Sequence, residues 1–122
     1  MSYSYDDQNI FAKILRGEIP NTTVLETEHT LAFRDIHPQA PVHVLVIPKG
    51  PYVCFDHFAL EASDAEIVDY VRAVGEVCRM EGLEADGWRL IANAGTNGVQ
   101  EVPHLHVHIL AGRVLGRMLA KG

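Results

Sequence analysis

The sequence predicts an α+β fold, a five-stranded and mostly antiparallel sheet with one short and one long helix. Three observations carry this. "SDAEIVDYVRAVGEVCRMEG" holds an apolar stripe at helical spacing over several turns. Five shorter segments, rich in β-branched residues, lie between turn-forming residues. The elements then run helix, strands, long helix, strands, which suits an antiparallel sheet covered by helix on one face. A chain of 122 residues without repeat, linker or low-complexity tract reads as one domain, 1–122.

Each element has its own signal. "DDQNIFAKILRGEIP" is the short helix: Asp or Asn at 6 to 9 can cap it, Ile10, Phe11 and Ile14 form a stripe, and Gly17 with Pro20 stops it. "TTVLET" and "HTLAFRD" are two strands joined by a tight turn near Glu28. The prolines of "HPQAP" interrupt the pattern, and "VHVLVIP" is a third strand ended by Pro48 and Gly50. Residues 51 to 60 read as an irregular loop. In the long helix, Ser63 and Glu66 fit a capping box, Gly82 fits the residue past the end, and Ile67, Val71, Val74 and Cys78 share a face. "WRLIANAG" is a fourth strand, running into the small-residue loop "AGTNGVQEVP", and "HLHVHIL" is the fifth.

Composition excludes several functions. The net charge is −6, no Lys/Arg cluster exceeds a pair, and Lys occurs only at 13, 49 and 121. A duplex nucleic acid held by phosphate neutralisation is therefore not an expected partner, whereas a small anion held by backbone amides remains open. No apolar run approaches a membrane span, and "MSYSYDDQNI" has no secretory pattern. Cys54 and Cys78 are outside any C-x-x-C pair and read as free thiols of a reducing cytoplasm.

The segment that demands a chemical reading is "EVPHLHVHIL". In an extended strand, Leu105, Val107 and Ile109 point one way, beneath the long helix, and His104, His106 and His108 point the other, toward solvent or a cleft. A solvated strand face would be served as well by Thr, Lys or Glu. A metal site is a second reading, but the outer two histidines of a flat strand lie about 13 Å apart, while zinc takes nitrogens at about 2.0–2.1 Å. Two of them can converge, with His43 or a carboxylate completing the set. The third reading is catalysis: His106 is nucleophilic when neutral, and a backbone carbonyl accepting from its Nδ1 would leave Nε2 aimed at an electrophile.

The pattern His-x-His-x-His followed by two apolar residues resembles the histidine-triad (HIT) family. "IFAKILRGEIP", "LAFRDIHPQAPVHVLVIPK" and "GWRLIANAGTNGVQEVPHLHVHILAGR" resemble successive blocks of its HINT branch, covering most of residues 10 to 113. The resemblance implies a nucleotide hydrolase or transferase acting at the α-phosphate of purine nucleoside phosphoramidates or acyl-adenylates. It implies no cofactor, no resident metal, and a homodimer whose two sheets join into ten strands. It casts His106 as the nucleophile that becomes nucleotidylated, His104 as framework, His108 as donor to the phosphate and His43 as a histidine beside the triad. Asp35 would take the ribose hydroxyls. Asn93 and the backbone of Gly98, Val99, Gln100 and Glu101 would donate to the phosphate. Ile10, Phe11, Ile14, Phe33 and Ile36 would wall the purine. Dinucleoside polyphosphate hydrolysis and a non-catalytic nucleotide-binding module are the alternatives.

Some positions depart from the family pattern. Glu101 stands where many relatives carry Ser or Thr, Val99 where glycine is common, and His37 where Ser is frequent. A carboxylate at 101 can protonate an amine leaving group or repel the phosphate, so leaving-group preference does not carry over; the ending "RVLGRMLAKG" lacks the Trp-Pro-Pro-Gly tail of some HINT proteins, so substrate specificity does not either. His29 and His57 match no motif and read as surface or loop residues.

Overall fold

The computed structural model describes residues 2–120. The element order is α1 (Ile10–Leu15), β1 (Thr23–Glu26), β2 (Thr30–Arg34), β3 (Val42–Pro48), α2 (Phe55–Glu61), α3 (Asp64–Met80), β4 (Arg89–Ala92) and β5 (Val107–Ala111). The five strands form one sheet in the order β1-β2-β3-β5-β4, and every neighbouring pair is antiparallel. The expected α+β architecture is thus present.

Strand alternation divides the side chains between two faces. Ala32, Val44, Val46, Val107, Ile109 and Ala111 pack with Tyr70, Val74 and Val77 of α3 in the larger core. Leu31, Phe33, Leu45 and Ile47 take the opposite face and pack with Phe11 and Ile14 of α1. Helix therefore lies on both faces, α3 against β1 to β3 on one and the six residues of α1 on the other. His108 is paired with Leu45, and His43 lies two residues before Leu45 on β3, so both fall on the α1 face. The part of that face which α1 leaves uncovered is where a site can open.

The helix ends follow their sequence signals. Asn9 caps α1, its side chain accepting from the amides of Phe11 and Ala12 at 3.0 and 2.9 Å. Ser63 and Glu66 form a reciprocal capping box on α3, and Gly82 beyond it has φ +69°.

Three expectations need correction. Residues 51 to 60 are not all loop, because Phe55–Glu61 is helical. Its N-cap, Cys54, makes no side-chain cap bond, and two turns are too few for a periodic stripe. His57, read as a surface or loop residue, is buried there: its Nδ1 accepts from the Val53 amide at 2.9 Å and Nε2 lies 3.0 Å from Glu61. On α3 the buried stripe is rotated from the expected one. Val71 is exposed, while Tyr70 and Val77 are buried, the Tyr70 hydroxyl donating to the Val46 carbonyl at 2.8 Å. A tyrosine that finds a sheet carbonyl behaves as core, which an apolar count misses.

Candidate active site

The site begins with backbone. β5 starts only at Val107, so His104 and His106 precede the strand. The Leu105 amide donates to the Tyr52 carbonyl at 2.7 Å and the His104 amide to the Val102 carbonyl at 2.9 Å, tying this approach to the body before it joins the sheet. The three histidines consequently do not form an open ladder facing solvent. His104 is fully buried, His106 is buried with its ring in the wall of a cavity, and His108 is partly exposed. Leu105, Val107 and Ile109 pack beneath α3 as expected.

Hydrogen bonds fix the tautomers. His106 Nδ1 lies 2.8 Å from the His104 carbonyl oxygen. A carbonyl only accepts, so Nδ1 carries the hydrogen and the Nε2 lone pair is free. His43 Nδ1 accepts from the Gln39 amide at 3.0 Å. In its neutral form His43 must then be protonated on Nε2, which stands 2.9 Å from His108 Nδ1. That contact makes His108 Nδ1 an acceptor and leaves His108 with its N–H on Nε2. A main-chain amide outside the triad thus presents His108 as a donor beside a nucleophilic His106, with 5.1 Å between the two ring centres.

The rings are held neutral. Burial is the main force pulling all four imidazoles below their ordinary range. His104 falls to about 4. His108 also falls to about 4, where repulsion from His106 and His43 adds to burial and Asp35 opposes it. At neutral pH the cluster is therefore a set of uncharged donors and acceptors, as a nitrogen nucleophile requires.

A cavity of about 230 Å³ adjoins these rings. Ile10, Phe11, Ile14, Phe33 and Ile36 line it, together with Asp35, Glu101, His106 and His108. Ile36 is 81% exposed and Ile10 44%, so two large apolar side chains stand at its mouth. A flat apolar ring between them would recover that exposed surface. Asp35 also caps a turn, one carboxylate oxygen accepting from the His37 amide at 2.8 Å.

The other expected site residues are placed differently. His43 and His104 stand behind the cavity wall and act through neighbours. Asn93 is the first residue past β4, half-buried, and lines neither this cavity nor the one beside Gln100. Val99, Gln100 and Glu101 line a second cavity with Val53, Gly95, Thr96 and Pro103, so Glu101 borders both. The amides of Val99 and Gln100 are not free for a phosphate as expected: they donate within the loop, to the carbonyls of Thr96 and Gly95, each at 3.1 Å. Gln100 braces that loop, its side-chain amide donating to the carbonyls of Val53 and Val102 at 2.7 and 2.9 Å. Val99 holds φ +56°, strained for a β-branched residue. Gly98 lies so close to Ala94 that a Cβ would come within 2.5 Å of its carbonyl oxygen. Sequence reasoning missed Ile19, Pro20, Asn21, Arg34, Leu45 and Val102 in the first cavity's wall. Pro20 reads from the sequence only as a helix stop, and Asn21 carries no signal there.

A metal has one candidate donor set among the described residues, Asp35, His43 and His108, whose ligand atoms lie within 4.8 Å of one another. His43 Nε2 and His108 Nδ1 stand 2.9 Å apart, a normal hydrogen bond, and Asp35 lies 3.4 Å from the same His43 nitrogen. This spacing fits a shared proton; a cation here would have to displace it.

Comparison with known proteins agrees with this geometry. The HIT domain family matches residues 16–115. The chain is 58% identical over 122 residues, all of both chains, to an uncharacterised 13.2 kDa HIT-like protein of Azospirillum brasilense. It is 41% identical over 114 residues to the purine nucleoside phosphoramidase of Escherichia coli K12, covering 93% of this chain and 95% of that one. Among solved structures, a histidine triad protein from Clostridium difficile superposes with a TM-score of 0.82 at 39% identity, covering 95% of this chain and all of that one. The family match, these identities and the shared fold define a histidine triad protein. This chain belongs to the HIT family.

Proposed function

We propose that this protein hydrolyses purine nucleoside phosphoramidates or acyl-adenylates through a nucleotidyl-histidine at His106, releasing the nucleoside monophosphate. One observation carries the reading: His106 donates Nδ1–H to the His104 carbonyl and keeps its Nε2 lone pair beside a cavity that also holds His108 and Asp35. The purine lies among Ile10, Phe11, Ile14, Phe33 and Ile36, and Asp35 accepts from the ribose hydroxyls. His106 Nε2 attacks phosphorus and the bond to the leaving group breaks, a carboxylate departing as the anion and an amine taking a proton from Glu101 at the cavity edge. His108 Nε2–H donates to a non-bridging oxygen as charge builds there. Water then attacks the phosphorus of the intermediate, and the His106–phosphorus bond breaks. Asn93, just past β4, is a further donor. The Escherichia coli relative named for phosphoramidase activity supports the substrate class.

We further propose a homodimer formed at β4, a sheet-edge strand in which Leu90 is 46% exposed and before which Trp88 is 41% exposed. A cytoplasmic location suits the two free, buried cysteines.

The test is turnover of adenosine 5′-phosphoramidate to AMP, with mass mapping after a rapid quench. AMP attached to the peptide bearing His106 is expected, with a loss of about 10³-fold or more in His106→Asn. Equal rates for wild type and variant would remove the assignment. Turnover confined to diadenosine polyphosphates would favour the polyphosphate reading, and AMP binding without turnover the binding-module reading.

A further inference from the structure

The strand of chain before α1 reaches the triad, and it lies outside residues 16–115 that define the family match. The half-buried Tyr5 places its hydroxyl 2.6 Å from His104 Nδ1. The other nitrogen, His104 Nε2, is 2.9 Å from the Pro48 carbonyl oxygen and must carry the hydrogen. Nδ1 is then an acceptor, so the phenol donates. Burial pushes the Tyr5 phenol above its ordinary value, which keeps that proton in place. His104 is completely buried, and these two bonds hold its ring from opposite ends. Its own carbonyl is the group that accepts from His106 Nδ1.

We infer that Tyr5 is a positioning residue for the triad: by clamping the His104 ring against Pro48, it aims the His104 carbonyl at His106 Nδ1 and so keeps the His106 Nε2 lone pair free. This rests on the proposed function for its kinetic consequence, though not for its structural one. Without the hydroxyl, a buried acceptor on His104 has no partner. The ring then reorients or admits water, the carbonyl loses its aim, and part of the His106 population carries its hydrogen on Nε2, where it cannot attack. Phe11 packs edge-on against both His104 and His106, at 6.3 and 5.0 Å between ring centres, but supplies no polar contact. It cannot replace the phenol.

The same segment supplies its own control. Tyr3 stacks on His57 and bonds Asp56, so it anchors the strap to α2 without touching the triad. Tyr5→Phe and Tyr3→Phe are compared with wild type by steady-state kinetics and by nitrogen-15 NMR of the histidine rings. For Tyr5→Phe, kcat on adenosine 5′-phosphoramidate is expected to fall about tenfold with KM within about twofold. The His106 nitrogens should shift from a single Nδ1–H tautomer toward an average of two. Tyr3→Phe should leave kcat and the His106 signals as in wild type. Wild-type kcat in Tyr5→Phe, or equal losses in both variants, would overturn the inference. If wild type has no turnover, the proposed reaction fails, and the NMR comparison decides Tyr5 alone: an unchanged His106 tautomer in Tyr5→Phe rejects it, a mixed one supports it.

Discussion

Acidification should destabilise this fold well before its carboxylates protonate, and His104 sets the minimum size of the effect. The perturbation is a change from about pH 7.5 to about pH 5. In the unfolded chain an imidazole titrates near 6.5, whereas burial holds His104 at about 4 in the fold. Between those values the unfolded chain binds a proton that the folded one refuses, so stability falls as pH falls. The contribution is whole above pH ~6.5 and is lost as pH drops toward ~4. At ~1.4 kcal/mol per pH unit, the interval from ~6.5 to ~5 removes about 2 kcal/mol. His43, His106 and His108 are also pulled down by burial and act in the same direction. Burial, the largest single influence, raises Asp69 and Glu66, but their hydrogen bonds together outweigh it and hold both below the usual carboxylate range. Their contribution is lost only at lower pH. The assay is urea unfolding at both pH values and one protein concentration, for wild type and His104→Asn. The wild type should lose at least about 2 kcal/mol, and the variant, although less stable throughout, should lose about 2 kcal/mol less. Identical pH dependence in the two proteins would refute the claim that a buried neutral ring at 104 carries this term.

Three other perturbations follow from the same geometry. Ile109 is fully buried between β3, β4 and α3, so Ile109→Ala should cost about 2–5 kcal/mol in urea unfolding; a loss below ~1 kcal/mol would mean that the core under α3 is loosely packed. Val99→Gly relieves a β-branched residue at φ +56° and should leave stability unchanged or raise it by up to about 1 kcal/mol, whereas clear destabilisation by the same measurement would show that the valine side chain is needed. Glu101 borders both cavities, and Glu101→Gln should slow substrates with amine leaving groups about tenfold or more relative to acyl-adenylates; kcat/KM ratios unchanged between the two classes would leave Glu101 no part in leaving-group chemistry.

Much of the fold lies in local signals. Asn9, Ser63 with Glu66, Gly17 and Gly82 mark helix ends through bonds made within a few residues, so the pattern of types shows them directly. The alternation of Leu105, Val107 and Ile109 with the histidines likewise separates core from site. α2 was hidden because its seven residues bury only His57 and Phe58 and carry no side-chain cap. Tyr70 and His57 were hidden because a polar side chain becomes core only when a distant partner satisfies it, here the Val46 carbonyl and the Val53 amide with Glu61.

By itself, then, the amino-acid order determined the element types, the caps, the two faces of the sheet and the residues able to do chemistry, since each depends on neighbours a few positions away. Tertiary structure alone decided which nitrogen of each histidine carries a hydrogen, that His104 is sealed from water, that the amides of Val99 and Gln100 are consumed inside their loop, and that Tyr5 meets the triad. A tautomer is chosen by whichever carbonyl, amide or phenol meets the ring: residues 5 and 48 reach His104 from far along the chain, while the amide of 39 and the carbonyl of 104 are sequence neighbours of His43 and His106 that meet those rings through the local path of the folded backbone.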